Sequence, residues 1–273
     1  DVLEWCDKLQ DEKTPICADI ETHPKRGITT VIGLTNIPNK GMAIPLVDGS
    51  YNDYYTTNDE MLIRNRLCDL FADTDLRFVA HNGSYDVSWL WFVDKLRVHK
   101  IWFDTMLAHH LLYPPLPHGL DFLTSQMTTH PYYKDESELW SGKGDFAAYC
   151  EYNVKDICIT LLCQRYMKVQ LEKRKLDHFF YNHVMRLSPH LVRATIHGIT
   201  FDSSSREDVR NAMQSDLDLS DANLRVLLKD MKLDPAYVDG VNFNSPQQVS
   251  VLFFDRMKLI GRGRSTDEEN RDV

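Results

Sequence analysis

The sequence predicts an α/β domain followed by a mainly helical region, on three observations. Short β-branched and apolar runs open the chain, strands and helical patterns then alternate, and from residue 170 the periodicity is helical. The division expected is therefore residues 1–169 and residues 170–273. Leu3, Trp5 and Leu9, set among charges, predict an amphipathic helix within residues 1–15. Ile16 to Glu21 reads as a short apolar strand carrying two acids, Ile28 to Leu34 as a second strand and Gly41 to Val47 as a third. Asn58 precedes a helical pattern with Met61, Leu62, Leu67, Leu70 and Phe71, and Arg77 to Ala80 reads as a short buried strand. Ser84 to Val93 reads as an apolar helix and Val98 to Trp102 as a brief strand. Asp104 is placed to cap a helix that Pro114-Pro115 stops beyond Leu112, and another short helix starts near His118-Gly119. Thr128 to Lys143 reads as loop and Phe146 to Lys168 as helix. The later helical region breaks at His197-Gly198-Ile199, and the tail beyond Gly261 is polar and expected to be disordered.

Composition narrows the function classes. Of 273 residues, 43% are hydrophobic, enough to fill a core, and no apolar run approaches the roughly 20 residues of a bilayer span. The net charge of −9 excludes a protein that holds nucleic acid by bulk electrostatics. Such a chain can work on nucleic acid only where cations neutralise the site. Cys6, Cys17, Cys68, Cys150, Cys158 and Cys163 form no Cys-x-x-Cys pair and are expected as free thiols, which implies a cytoplasmic setting. Asp1-Val2-Leu3-Glu4 carries neither a start Met nor a secretory signal, so the chain is expected to be an excerpt of a longer one.

Three carboxylate-bearing elements stand out. Residues i and i+2 of a strand face one side, so Asp19 and Glu21 project together, roughly 6.5–7 Å apart along the chain. Two acids among Ile16, Ala18 and Ile20 repel unless protonated, solvated or bound to cations, and hard oxygen ligands suit Mg²⁺ or Mn²⁺. The copy at Asp267-x-Glu269 lies in the polar tail, where solvation accounts for it. Asn82 and Asp86 share a helix face directly after a strand; a plain cap and a first-turn acid would read the same way. Tyr152 and Asp156 form a third i, i+4 pair, although an isolated Tyr152 could as well be a core aromatic.

Taken in this order, Ala18–Thr22 (ADIET), His81–Asp86 (HNGSYD) and Tyr152–Asp156 (YNVKD) resemble the proofreading exonuclease domain of family A DNA polymerases, the bacterial polymerase I type and its phage relatives. Phe103–Leu112 (FDTMLAHHLL) is also similar to that family. These domains belong to the DEDD superfamily, in the subgroup with tyrosine in the third motif. The resemblance covers about residues 14–168 and implies a ribonuclease H-like mixed sheet with flanking helices. It further implies two Mg²⁺ or Mn²⁺ held by Asp19, Glu21, Asp86 and Asp156. Asp19 would bridge the ions, Tyr152 would orient the attacking water, and Asn82 would touch the substrate. The implied activity is removal of 3′-terminal nucleotides from DNA, and the implied partners are a single-stranded or frayed 3′ end and a polymerase domain. A membrane is not among them. His81 is given no chemical role. Arg165, Lys168, Lys173 and Arg174 are expected on a solvated helix face.

Residues 186–202 resemble the linker between the exonuclease and polymerase portions, and Asn242–Gln248 with Val251–Phe254 resembles an early thumb. Ser245 can cap a helix starting at Pro246. No palm motif is recognisable, so a truncated or split polymerase is expected, without synthesis by this chain alone. Two rival readings are a stand-alone exonuclease of the RNase D or Werner type and a non-catalytic scaffold; retention of all four carboxylates speaks against the second.

Overall fold

A computed structural model describes residues 1–131, 133 and 145–259 of the chain. Most of the expected loop at Thr128 to Lys143, and the tail beyond Gly261, lie outside the described residues. Among the described residues five strands, β1 (Ile16–His23), β2 (Ile28–Ile37), β3 (Lys40–Pro45), β4 (Phe78–Ala80) and β5 (Ile101–Asp104), form one sheet in the order β3-β2-β1-β4-β5. The β1–β2 and β2–β3 pairs are antiparallel, whereas β1–β4 and β4–β5 are parallel. This is a ribonuclease H-like α/β architecture.

Alternation along β1 decides which layer receives each side chain. Ile16, Ala18 and Ile20 enter a core with Trp5 and Leu9 of α1 (Val2–Glu12) and Leu67 and Phe71 of α2 (Thr57–Ala72). Cys17 points the other way, into a core with Ile157 and Leu161 of α6 (Phe146–Lys173). Asp19 and Glu21 share the parity of Cys17, so the sheet delivers both acids to the α6 side.

Helix α3 (Gly83–Trp89) continues into a π-helical turn at Leu90–Asp94. The final strand starts at Ile101 where Val98 was expected. His99 donates its backbone N–H to Phe71 O at 2.8 Å, so this stretch is tied to the end of α2 before it can join the ladder. Helix α4 (Thr105–Leu112) starts where expected, with Asp104 as its cap, and α5 (Leu120–Met127) follows Gly119. Asp145 caps α6, accepting from Ala147 N at 2.9 Å and Ala148 N at 3.3 Å. Beyond it come α7 (Asp177–Phe179) and α8 (Met185–His197), which ends at Gly198 with φ 68°.

The chain divides into two compact units, the second beginning at Ile199. Within the second, Asp202 caps α9 (Ser203–Asp230), and α10 (Pro235–Gly240) and α11 (Pro246–Ser250) follow. Ser245 accepts from Gln248 N at 3.4 Å, which is the cap expected ahead of Pro246. A small core of Leu228, Val238, Val241 and Leu252 holds these helices. No helix among the described residues is long and apolar enough to cross a membrane. All six cysteines are free thiols, four of them buried.

Candidate active site

The two antiparallel strands and α6 bring chemistry from distant parts of the chain to one place. Asp19, Glu21 and Asp156 each offer a carboxylate oxygen, and these oxygens lie within 4.8 Å of one another. Oxygens that share one hard divalent cation stand roughly 3–5 Å apart, given metal–oxygen distances of about 2.0–2.6 Å. The donor set and its spacing therefore fit such an ion. Without a cation the three carboxylates repel one another.

Helical spacing builds the wall above them. Tyr149, Tyr152, Asn153 and Asp156 recur at i, i+3, i+4 and i+7, so one stripe of α6 faces β1 and β2. Tyr149 donates its hydroxyl to Glu21 Oε2 at 3.4 Å and lies 3.2 Å from Thr30 Oγ1. Thr30 in turn donates to the Glu21 carbonyl at 3.0 Å. Tyr133 donates to Asp156 Oδ1 at 2.5 Å, and its ring lies 5.8 Å from that of Tyr152. Tyr152 is buried and hydrogen-bonded to Asp156; burial first, then the carboxylates of Asp156, Glu21 and Asp19, push its phenol well above the ordinary range. Tyr152 therefore stays protonated at neutral pH and can act as a hydrogen-bond donor, not as a base.

Asp86 approaches β1 from α3. It is buried, accepts from the backbone N–H of Ile20 and feels Glu21, yet it stands outside the three-carboxylate group. Burial and the neighbouring Asp104 carboxylate raise its pKa to about 8. Asp104 does more than cap α4. It accepts from Met106 N (2.9 Å) and Leu107 N (3.2 Å) and also from Asn82 N (3.2 Å) and Gly83 N (2.8 Å), so one buried carboxylate satisfies two helix starts.

Asn82 holds the cap position of α3 in the left-handed region, φ 59°, but its side chain makes no capping bond; it accepts from Ser84 Oγ at 3.3 Å and is exposed. His81 Nδ1 lies 2.9 Å from Thr105 Oγ1, a contact that ties β4 to α4. Arg165, Lys168, Lys173 and Arg174 are exposed, and Arg174 donates to Leu112 O at 2.7 Å. A cavity of about 520 Å³ opens elsewhere, between α3, residues 96–101 and α8, and none of the carboxylates of the site lines it.

Tyr133, Tyr149, Asn153 and Asp104 were not among the site residues expected from sequence. The helical stripe could have revealed Tyr149 and Asn153. Tyr133 carries no local signal, and the double duty of Asp104 depends on β4 lying beside β5.

Solved structures share this architecture. Brucella melitensis NrnC is 17% identical with a TM-score of 0.55, over 70% of this chain and 89% of that one. The POL domain of Pol1 from M. smegmatis, in complex with DNA primer-template and dNTP, is 15% identical with a TM-score of 0.56; the match covers 97% of this chain and 42% of that one. The catalytic core of RRP6 from Trypanosoma brucei is 18% identical with a TM-score of 0.51, over 69% and 49% of the two chains. At these identities the likeness is one of fold. No curated protein matches the chain. The family model for the 3'-5' exonuclease matches residues 1–172, the stretch that holds all three carboxylate elements, and the chain belongs to that family.

Proposed function

We propose that this chain is the proofreading part of a family A DNA polymerase, a 3′→5′ exodeoxyribonuclease that removes terminal nucleotides from DNA with two Mg²⁺ or Mn²⁺. The observation that carries the reading is the convergence of Asp19, Glu21 and Asp156, from two distant motifs, within 4.8 Å. Asp19, Glu21 and Asp156 are assigned to hold one cation, with Asp19 shared and Asp86 serving a second. Bound divalent ions supply an activated water and offset charge on the departing 3′ oxygen. Asp156 and Glu21 are oriented by the phenols of Tyr133 and Tyr149, which fixes where their lone pairs point. Tyr152 is assigned to donate a hydrogen bond within the site that orients the attacking water.

Tyr152→Phe keeps the ring and its packing while deleting that donor. Saturated single-turnover cleavage should fall about 10- to 1000-fold, the scale of losing one positioned donor. The Mn²⁺ midpoint should move far less than in Asp156→Ala, which removes a ligand. An unchanged saturated rate in Tyr152→Phe would reduce Tyr152 to a core aromatic.

The polymerase context rests on the second unit. Val209, Met213, Leu217 and Leu224 of α9 are all exposed, an apolar stripe of the kind that a further domain covers. Likeness to Pol1 also extends over 97% of this chain. With primed template, Mg²⁺ and all four dNTPs, the chain alone should only shorten the primer. Template-dependent extension would refute the reading. A second reading is a stand-alone exonuclease acting on RNA; the fold shared over 89% of the NrnC chain, one structure of which is bound to pGG, supports the stand-alone form. DNA and RNA oligonucleotides of one sequence, compared at equal Mn²⁺, separate the two.

A further inference from the structure

Asn153 is 0% exposed and sits on α6 between the two residues assigned chemical roles there, Tyr152 and Asp156. Its amide Nδ2 donates to Asp19 Oδ2 at 3.0 Å. Its Oδ1 is buried with no hydrogen-bond partner among the described residues, an arrangement that costs folding stability and that an apolar side chain of similar shape would avoid. The amide cannot gain by turning over, because Oδ1 would then face the Asp19 carboxylate, acceptor against acceptor.

A second element keeps the amide in place. Gly33 pairs with Asp19 across β1 and β2. A Cβ at residue 33 would lie 2.2 Å from Asn153 Oδ1 and 3.1 Å from Ile157 Cγ2. Only a glycine lets the amide lie flat against β2, so its oxygen faces the Gly33 backbone while its nitrogen faces Asp19.

We propose that Asn153, wedged against Gly33, is a positioning residue that fixes the Asp19 carboxylate for cation binding. The proposal rests on the exonuclease reading above. An amide suits this task better than its alternatives. Lys or Arg would neutralise Asp19 and compete with the ion, a carboxylate would add a further negative charge, and Leu would withdraw the donor from Asp19 Oδ2. The amide holds Oδ2 by a neutral hydrogen bond, so the carboxylate keeps its negative charge for the cation.

The test measures Mn²⁺ binding to the full chain by the loss of the free-ion electron paramagnetic resonance signal, beside single-turnover cleavage of a DNA oligonucleotide. Asn153→Leu keeps approximate shape and removes the donor. Asn153→Ala adds no bulk, and Gly33→Ala displaces the amide without touching its chemistry; at least one of these is expected to fold, checked by circular dichroism. In the folded variants the Mn²⁺ midpoint should rise about 10- to 100-fold, the usual effect of losing an outer-shell partner. Cleavage should fall at low Mn²⁺ and recover as Mn²⁺ is raised. A merely structural role would lower the active fraction with the midpoint unmoved. If wild type binds Mn²⁺ and cleaves, and a folded Asn153 variant binds within twofold of it, the proposal is overturned while the exonuclease reading stands. Failure of the wild type to bind Mn²⁺ overturns both.

Discussion

Asp19→Ala is expected to lower single-turnover cleavage of a DNA strand on the order of 10³-fold or more, with the fold intact. Asp19 belongs to the group whose oxygens lie within 4.8 Å, and it is the one assigned to both cations. Removing it would take away the proposed shared ligand, so rate and Mn²⁺ affinity should fall together, and raising Mn²⁺ should not restore the rate. Folding should survive because two effects oppose each other. The substitution forfeits the 3.0 Å hydrogen bond from Asn153, yet it relieves repulsion among crowded carboxylates. Circular dichroism and a thermal melt in EDTA check the fold, and a rapid-quench time course checks the rate. A folded variant that cuts near the wild-type rate would remove Asp19 from the chemistry.

Asp86 should make the metal-free protein less stable as pH rises, the reverse of an ordinary paired aspartate. Burial, followed by the Asp104 carboxylate, lifts its pKa from 3.8 to about 8. The unfolded chain releases this proton near 3.8, whereas the folded chain keeps it to about 8. Between these values the native state binds more protons than the unfolded state, so stability falls with rising pH. The contribution is fully present below 3.8 and is gone once pH passes about 8. Divalent cations should reverse the slope, because Asp86 as a proposed ligand must be deprotonated and binding would strengthen with pH. In EDTA, Asp86→Asn should remove much of the decline between about pH 5 and 8.5 and melt several degrees above wild type at the upper end, at roughly 2–4 °C per kcal/mol. The same variant should cleave poorly. Parallel melting curves for wild type and Asp86→Asn across that range would show that Asp86 ionises normally.

The parts legible in the sequence are those that depend on local periodicity. Alternation along Ile16 to Glu21 placed Asp19 and Glu21 on one face, and their parity with Cys17 carries them to α6. Asp104 and Ser245 are caps because a short polar side chain precedes a helix start, a rule that needs no tertiary context. What escaped depends on pairs distant in sequence. Asn82 looks like the cap of α3, but Asp104, 21 residues beyond Gly83, satisfies that helix start through space. Val98 reads as the start of a strand because it is apolar and β-branched, but the backbone of His99 bonds to α2 in place of β4. Gly33 shows no turn or positive φ, and its meaning appears only when Asn153 is laid against it. Asp86 stands apart from the other three carboxylates, a separation that spacing alone does not reveal.

The proposed activity is a cation-dependent cut at the 3′ end of DNA by the Asp19, Glu21, Asp156 and Asp86 carboxylates. One single-stranded oligonucleotide, labelled at its 5′ end in one sample and at its 3′ end in another, tests it directly. With Mg²⁺, the 5′-labelled strand should shorten through a ladder of single-nucleotide steps, and the 3′ label should leave at once as a mononucleotide. In EDTA both strands should stay intact. A ladder from the 3′-labelled strand, internal fragments from either, or the same cleavage in EDTA would contradict the account.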